Sequence, residues 1–327
     1  MPTETVGSLD VLTFGETMLR LSPPGRLRLT QAASFDVWVA GSESNVAAAL
    51  CALGLSVSWV SRLPDNPPGH KVADGLRALG IDTSHVIWTP PAERVGLFYA
   101  EPGAEPRAGT VVYDRAHSAA SALSPADLPD SLFDTHRHLH VSGITPALSA
   151  SCAAAVTDAV ARAKARGRTV SLDINYRAKL WSPEAAAAVL APLIPQMDVL
   201  FCARGDAERL FGLSGDAAAR ASGLRARFGV PVAVLTVGAD GAIGCDANGC
   251  RAVPAVPVEA MVERIGSGDA FAGGFLAEYL SGASLEQALR MGVAAGALKR
   301  TILGDMLVAT RSEVEAVLAQ EQRDGWR

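Results

Sequence analysis

The chain has 327 residues, enough for one large domain with insertions or for two ordinary ones. Hydrophobic residues make up 49% and charged residues 19%. The 31 Gly and 19 Pro stay well below the roughly 25–30% of low-complexity sequence, which excludes disorder, collagen and coiled coil. With 29 basic and 34 acidic residues the net charge is −5, so no general attraction for nucleic acid or anionic lipid is expected.

Met1 to Thr5 begin no basic-then-apolar leader, and no apolar run is long enough to cross a bilayer, so neither export nor a membrane span is expected. Cys51, Cys152, Cys202, Cys245 and Cys250 are an odd number without a C-x-x-C pair. They read as small core hydrophobes or surface bystanders in a reducing cytoplasm.

In chain order, short β-branched runs alternate with helical stretches. Strands are expected at Val11–Gly15, Val57–Ser61, His138–Ser142, Val170–Ile174, Val199–Phe201 and Val232–Val237. Helices are expected at Ser44–Leu53, Lys71–Leu79, Ser149–Arg166 and Asp216–Phe228, each followed by a Gly suited to a left-handed cap. This alternation implies a parallel sheet covered on both faces, with ligands outside the carboxyl ends of the strands. Leu19–Val39 and Glu93–Arg115 break the rhythm, with strand-like runs around Ser-Pro-Pro-Gly and Glu-Pro-Gly-Ala-Glu-Pro turns and no helix. They are expected to pair into a small antiparallel sheet. Pro183 after Ser182 marks a further helix start. From Ser267 to Leu280 a helix should carry Phe271, Phe275 and Tyr279 on one face, with Gly273 and Gly274 allowing close packing.

The chemistry is concentrated at Gly266-Ser267-Gly268-Asp269, ahead of that last helix. Backbone N–H groups there, at the positive end of a helix, can hold a phosphate. Taken alone, the segment reads rather as a tight turn with Asp269 complementing the dipole. It matches neither the P-loop nor the G-x-G-x-x-G fingerprint, which removes a nucleotide-dependent dehydrogenase. His136, His138 and His140 alternate on one strand face, but no carboxylate or Cys lies at ligand spacing, and they read as core residues.

The segment resembles the Asp-Thr-x-Gly-Ala-Gly-Asp signature of the ribokinase-like, phosphofructokinase B family of sugar kinases. Ala40-Gly41-Ser42-Glu43-Ser44-Asn45 resembles that family's Gly-Gly-x-x-x-Asn element, and Thr236-Val237-Gly238-Ala239-Asp240-Gly241 its Gly-rich nucleotide turn. Within the family, Gly15-Glu16, Val112-Tyr113-Asp114-Arg115, Leu139 to Ser149, Asp173-Ile174-Asn175-Tyr176-Arg177 and Leu180 to Glu184 are most similar to 2-keto-3-deoxygluconate kinases. The resemblance implies a three-layer α/β/α domain, residues 1–18, 40–92 and 116–327, with a small β lid, residues 19–39 and 93–115.

It further implies phosphorylation of the terminal hydroxyl of 2-keto-3-deoxygluconate by ATP with Mg2+, and makes a monovalent cation near Glu263 a candidate. Asp269 would be the base, and the amides of Gly266, Ser267 and Gly268 would hold the phosphoryl group. Gly41, Ser42, Asn45, Phe98 and Tyr113 would contact the sugar. Arg115 and Arg177 would be candidates for its carboxylate, with Arg177 also in reach of the γ-phosphate. Asp206, Thr236, Gly238 and Gly241 would lie along the nucleotide. The chain departs from the pattern at Ala40, Ser267 and Glu263, and Ala203-Arg204-Gly205-Asp206 stands where Asn-x-x-Glu is usual around phosphate and Mg2+. Another sugar or sugar acid, fructose or 2-keto-3-deoxygalactonate, is the alternative substrate, and a non-catalytic sugar-binding protein the alternative class. A homodimer or larger assembly through the lid is expected.

Overall fold

Residues on successive positions of the central strands go to opposite cores, as a strand period of two requires. Val11, Val57, Trp59, Val199, Phe201 and Val234 pack into one apolar cluster. Leu12, Phe14, Val60, Leu139, Leu200 and Leu235 pack into the other. A sheet buried on both faces must carry helices on both. The structure, a computed structural model, describes residues 9–104 and 106–324, without the side chains of residues 320–324. Residues 1–8 and 325–327 of the expected main domain, with the reading of Met1 to Thr5, and Glu105 of the expected turn lie outside these.

The elements run β1 (Leu9–Phe14), β2 (Met18–Ser22), β3 (Asp36–Ala40), α1 (Ser42–Ala52), β4 (Val57–Val60), β5 (Arg62–Pro64) and α2 (Pro67–Arg77). There follow β6 (Ile87–Thr89), β7 (Leu97–Glu101), β8 (Thr110–Asp114), α3 (Asp130–Thr135), β9 (His136–Ser142), α4 (Ala150–Ala165) and β10 (Thr169–Asp173). Then come α5 (Pro183–Leu190), β11 (Val199–Ala203), α6 (Arg204–Phe211), α7 (Ala217–Phe228), β12 (Val232–Thr236), β13 (Ala242–Asp246) and β14 (Gly249–Val253). The last are α8 (Ser267–Tyr279), α9 (Leu285–Lys299) and α10 (Arg311–Asp324).

The main sheet has the order β14-β13-β12-β11-β10-β9-β1-β4. From β12 to β4 every pairing is parallel, and β13 and β14 close one edge as an antiparallel hairpin. Helices α1, α2, α8 and α9 lie on one face, and α4 to α7 on the other. The chain leaves β1 toward β4 on one side and β9 on the other, a topological switch point where α/β sheets place their ligands.

Helix α8 packs against α1 and α9 because it lacks side chains at two contacts. A Cβ on Gly273 would stand 2.6 Å from Ala49 Cβ, and one on Gly274 would stand 2.8 Å from Met291 O. Its aromatic face stacks as the spacing requires, with Phe275 edge-on to Phe201 at 5.3 Å and Tyr279 stacked on Phe275 at 5.6 Å. Helix α1 begins two residues earlier than expected, which brings Ser42 and Glu43 into its first turn. Helix α2 begins four residues earlier, at Pro67, because Asn66 caps it through Gly69 N.

Two expectations are corrected. The small sheet, β3-β2-β7-β8, is mixed rather than antiparallel: its outer pairs are antiparallel, but β2 and β7, which come from the two separate segments, run parallel. The cysteines are not all bystanders either. Cys245 and Cys250 sit opposite each other in the β13–β14 hairpin and form a disulfide, while Cys51, Cys152 and Cys202 are free. Five residues of separation gave no sign of this until the turn at Asp246–Gly249 made them cross-strand neighbours.

His138 and His140 of β9 are spent on the neighbouring strand, while His136 Nδ1 lies 2.7 Å from Leu132 O of α3. His138 bonds Thr169 Oγ1 and Ser171 Oγ, both at 2.8 Å, and His140 bonds Ser171 Oγ at 2.8 Å. Burial pushes His140 down to about 3, so it is neutral. No helix of the described residues is long and apolar enough to cross a membrane.

Candidate active site

Gly266 turns the chain into α8 with φ +81°, and a Cβ there would stand 1.8 Å from Asp305 O. Only glycine fits this approach. The next turn aims Asp269 inward. Its carboxylate accepts from Asn45 Nδ2 at 2.7 Å and Ser42 Oγ at 3.0 Å. Asn175 Nδ2 donates to Ser42 Oγ at 2.7 Å and reaches Asp269 Oδ1 at 3.5 Å. Asn175 has φ +38°, a left-handed conformation that Asn tolerates better than most residues. Burial raises the Asp269 pKa; the bonds from Asn45 and Ser42 and the charge of Arg177 oppose that rise. A buried carboxylate with a raised pKa and a defined orientation is suited to proton transfer.

Asp269 stands between two chambers. One, about 140 Å³, contains all seven expected sugar contacts: Gly41, Ser42, Asn45, Phe98, Tyr113, Arg115 and Arg177. Phe98 and Tyr113 face each other with ring centroids 5.7 Å apart. Arg115 is tied to Glu16 through Nε at 2.7 Å and through Nη2, and Ser118 Oγ donates to the other Glu16 oxygen. The other chamber, about 400 Å³, holds Arg177, Asp206, Thr236, Gly266 and Gly268 beside Asp269. It continues into a cleft of about 160 Å³ with Thr236, Gly238, Gly241 and Ser267. Arg177 therefore borders both sides of Asp269.

The amides before Asp269 are not equivalent. Ser267 N donates to Arg264 O at 3.4 Å, a long bond. Gly268 N donates to no described residue, and a Cβ on Gly268 would meet no protein atom within 4 Å. Gly268 lines both the larger chamber and the cleft, and a free amide at a helix start suits an anion.

Other charged groups surround this site: Asp173 and Glu43 stand inside the matched stretches without an expected role, Asp206 was expected along the nucleotide, and Arg20 and Asp305 lie outside every motif. Asp173, at the end of β10, lies in the larger chamber and accepts from Asn175 N. Burial, and then the nearby Asp269, push it up to about 8. Asp206 is likewise raised by burial. Glu43, fully buried, accepts from Ser142 and Thr145 and is raised by burial. Beneath Gly266, Arg20 of β2 bonds Glu263 and Asp305, the latter at 3.0 Å. The Arg20 and Asp305 side chains are only 5% and 1% exposed. Burial raises Asp305 to about 6. Glu263, singled out as a departure from the family pattern, is thereby the partner of a cation supplied by the small sheet.

The family description "pfkB family carbohydrate kinase" matches residues 8–310. The chain belongs to the pfkB family of carbohydrate kinases. This kinase is 41% identical over 309 residues to a 2-dehydro-3-deoxygalactonokinase of Haloferax volcanii, covering 94% of this chain and 96% of the relative. It is 36% identical to a 2-dehydro-3-deoxygluconokinase of Thermoproteus tenax, covering 91% of this chain and 90% of that one. The crystal structure of the 2-dehydro-3-deoxygluconokinase of Thermotoga maritima superposes with a TM-score of 0.89 at 34% identity, covering 95% of this chain and 98% of that one. The fold is therefore ribokinase-like, and the enzyme is a sugar kinase.

Proposed function

We propose that this kinase transfers the γ-phosphoryl group of ATP to the terminal hydroxyl of 2-keto-3-deoxygluconate, giving the 6-phosphate. The observation that carries the reading is Asp269, held by Asn45 and Ser42 at the boundary between a chamber with Arg115 and one with the free Gly268 amide. The sugar acid lies with its terminal hydroxyl at Asp269 and its carboxylate at Arg115. Arg115 keeps Nη1 clear of Glu16, and its guanidinium fork suits a carboxylate. Arg177, whose charge acts on Asp269, takes the other role open to it and offsets charge on the transferring group.

Asp269 accepts the hydroxyl proton as the new P–O bond forms and the bond to the leaving diphosphate breaks. The helix-start amides at Gly266, Ser267 and Gly268 hold the transferring oxygens. ATP supplies the phosphoryl group, and Mg2+, were it to arrive on the phosphates, would supply charge neutralisation there. Asp206 would offer that metal a carboxylate; among the described residues no group of three metal-ligating side chains could hold one alone. Arg20 already pairs with Glu263, so a monovalent cation there would compete with that arginine. Residues 19–39 and 93–115 act as a lid over the sugar and exclude water.

The relative from Haloferax volcanii favours a second reading, 2-keto-3-deoxygalactonate, the C4 epimer. Turnover of the two keto acids and fructose, measured side by side with ATP and Mg2+, decides the substrate. The gluconate-derived acid is expected to give the highest kcat/KM; preference for its epimer selects the second reading, and preference for fructose defeats both. Binding of a keto acid without ATP consumption would instead make this a binding protein.

We also propose a homodimer through the outer face of the small sheet. Val37, Leu21, Tyr99 and Val112 form one cross-strand row there, and Val37 and Val112 are 40% and 48% exposed. Sedimentation at micromolar concentration should show a dimer, and a monomer would contradict it.

A further inference from the structure

Thr236, Arg264, Gly268 and Phe271 are common to the anion-hole chamber and the glycine-lined cleft. Arg264 is the cation among them. It precedes Ile265 and Gly266 at the entry to α8, and its backbone is fixed, with N donating to Glu263 Oε1 at 3.0 Å and O accepting from Ser267 N. Its guanidinium, in contrast, makes no hydrogen bond or ion pair with any described residue. Arg300, at the end of α9, faces the same cleft, and its Nε is buried without a partner.

An arginine that merely decorates a surface would be expected to point away from another guanidinium. Here the two share a cleft, and the Arg300 pKa is lowered first by burial and then by the charge of Arg264. Two like charges in a cleft that no carboxylate lines, beside the free Gly268 amide at the start of α8, make a place that an anion would relieve. On the ATP reading, the nucleotide's polyphosphate is the anion that would span the anion hole and this cleft.

We propose that Arg264, assisted by Arg300, binds the β-phosphate of the nucleotide, an assignment that rests on the ATP reading above. It supplies positive charge where the Asn-x-x-Glu element is reduced to Ala203 and Asp206. It also gives the enzyme affinity for its product ADP that does not depend on the sugar.

Calorimetric titration of the full-length enzyme with ADP and with AMP tests this. Arg264→Gln should weaken ADP binding roughly ten- to hundredfold, the range for losing a charged hydrogen bond, and change AMP binding less than threefold. Arg264→Lys should recover part of the loss. In the wild type, ADP affinity should fall with added salt more steeply than AMP affinity, a measurement that needs no variant. Unchanged ADP affinity in Arg264→Gln, equal losses for ADP and AMP, or equal salt slopes would overturn the assignment while leaving the kinase reading intact. A wild type that binds no adenine nucleotide would overturn both.

Discussion

Arg115 and Arg20, on the sugar side, are each bound to buried carboxylates, Glu16 for the first and Glu263 with Asp305 for the second. On the nucleotide side Arg177 and Arg264 make no such bond with any described residue. The difference separates arginines fixed by direct bonds to carboxylates from two that are not: Arg177, which borders both chambers and feels Asp173, Asp206 and Asp269 only at a distance, and Arg264. A sugar acid carries one charge and many hydroxyls, so orientation of neighbouring groups matters most. A nucleotide carries several charges in a row, so uncompensated cations matter most.

The largest expected effect falls on the group between the two sides. Asp269→Asn should lower kcat by about 10²–10⁴, the usual contribution of a positioned base, while the sugar acid still binds within a few fold by calorimetry. Loss of binding equal to the loss of turnover would make Asp269 a binding group. Next, Arg20→Met should destabilise the fold by roughly 3–5 kcal/mol in urea titration, because it strands two buried carboxylates. A loss under about 1 kcal/mol would place the Arg20 cluster with surface ion pairs and break the contrast drawn above.

Arg115→Gln should raise KM for the keto acid about tenfold or more with kcat changed less, and leave KM for ATP alone. A larger effect on ATP would move the carboxylate end of the substrate to Arg177. The smallest effect concerns Asp173. Folded, it holds its proton up to about pH 8, against an ordinary value of 3.8. Its protonation favours the folded state below about pH 4, and this contribution is lost as pH rises through 8. Asp173→Asn should therefore raise the Tm of the ligand-free protein by a few °C at pH 9, and the gain should vanish near pH 4. Equal Tm values at pH 9 would show that Asp173 ionises there without penalty.

Much of this was readable from residue order. The β-branched runs located the six parallel strands of the main sheet to within a residue or two, because a strand buried on both faces leaves a dense apolar signature, whereas the edge hairpin of β13 and β14, largely exposed along β14, left none. Gly54, Gly80, Gly167 and Gly229 closed their helices with positive φ. The motif residues around Asp269 came together because each follows the carboxyl end of a strand or opens a helix. The parallel pairing of β2 with β7 was hidden, since it joins segments far apart in the chain. So were the Arg20 cluster and Arg264, whose meaning depends on which charges lie opposite them. Asn175 stood inside the matched Asp173–Arg177 stretch without an expected role, because its reach to Ser42 and Asp269 depends on a positive φ that the sequence does not state.

The position of the new phosphate tests the central claim most directly, because Asp269 at the chamber boundary can serve only the hydroxyl placed against it. Phosphorus NMR of the product formed from 2-keto-3-deoxygluconate, ATP and Mg2+ should show a phosphate monoester coupled to the two protons of the terminal carbon. A phosphate on a secondary hydroxyl, or inorganic phosphate without a sugar phosphate, would contradict the account.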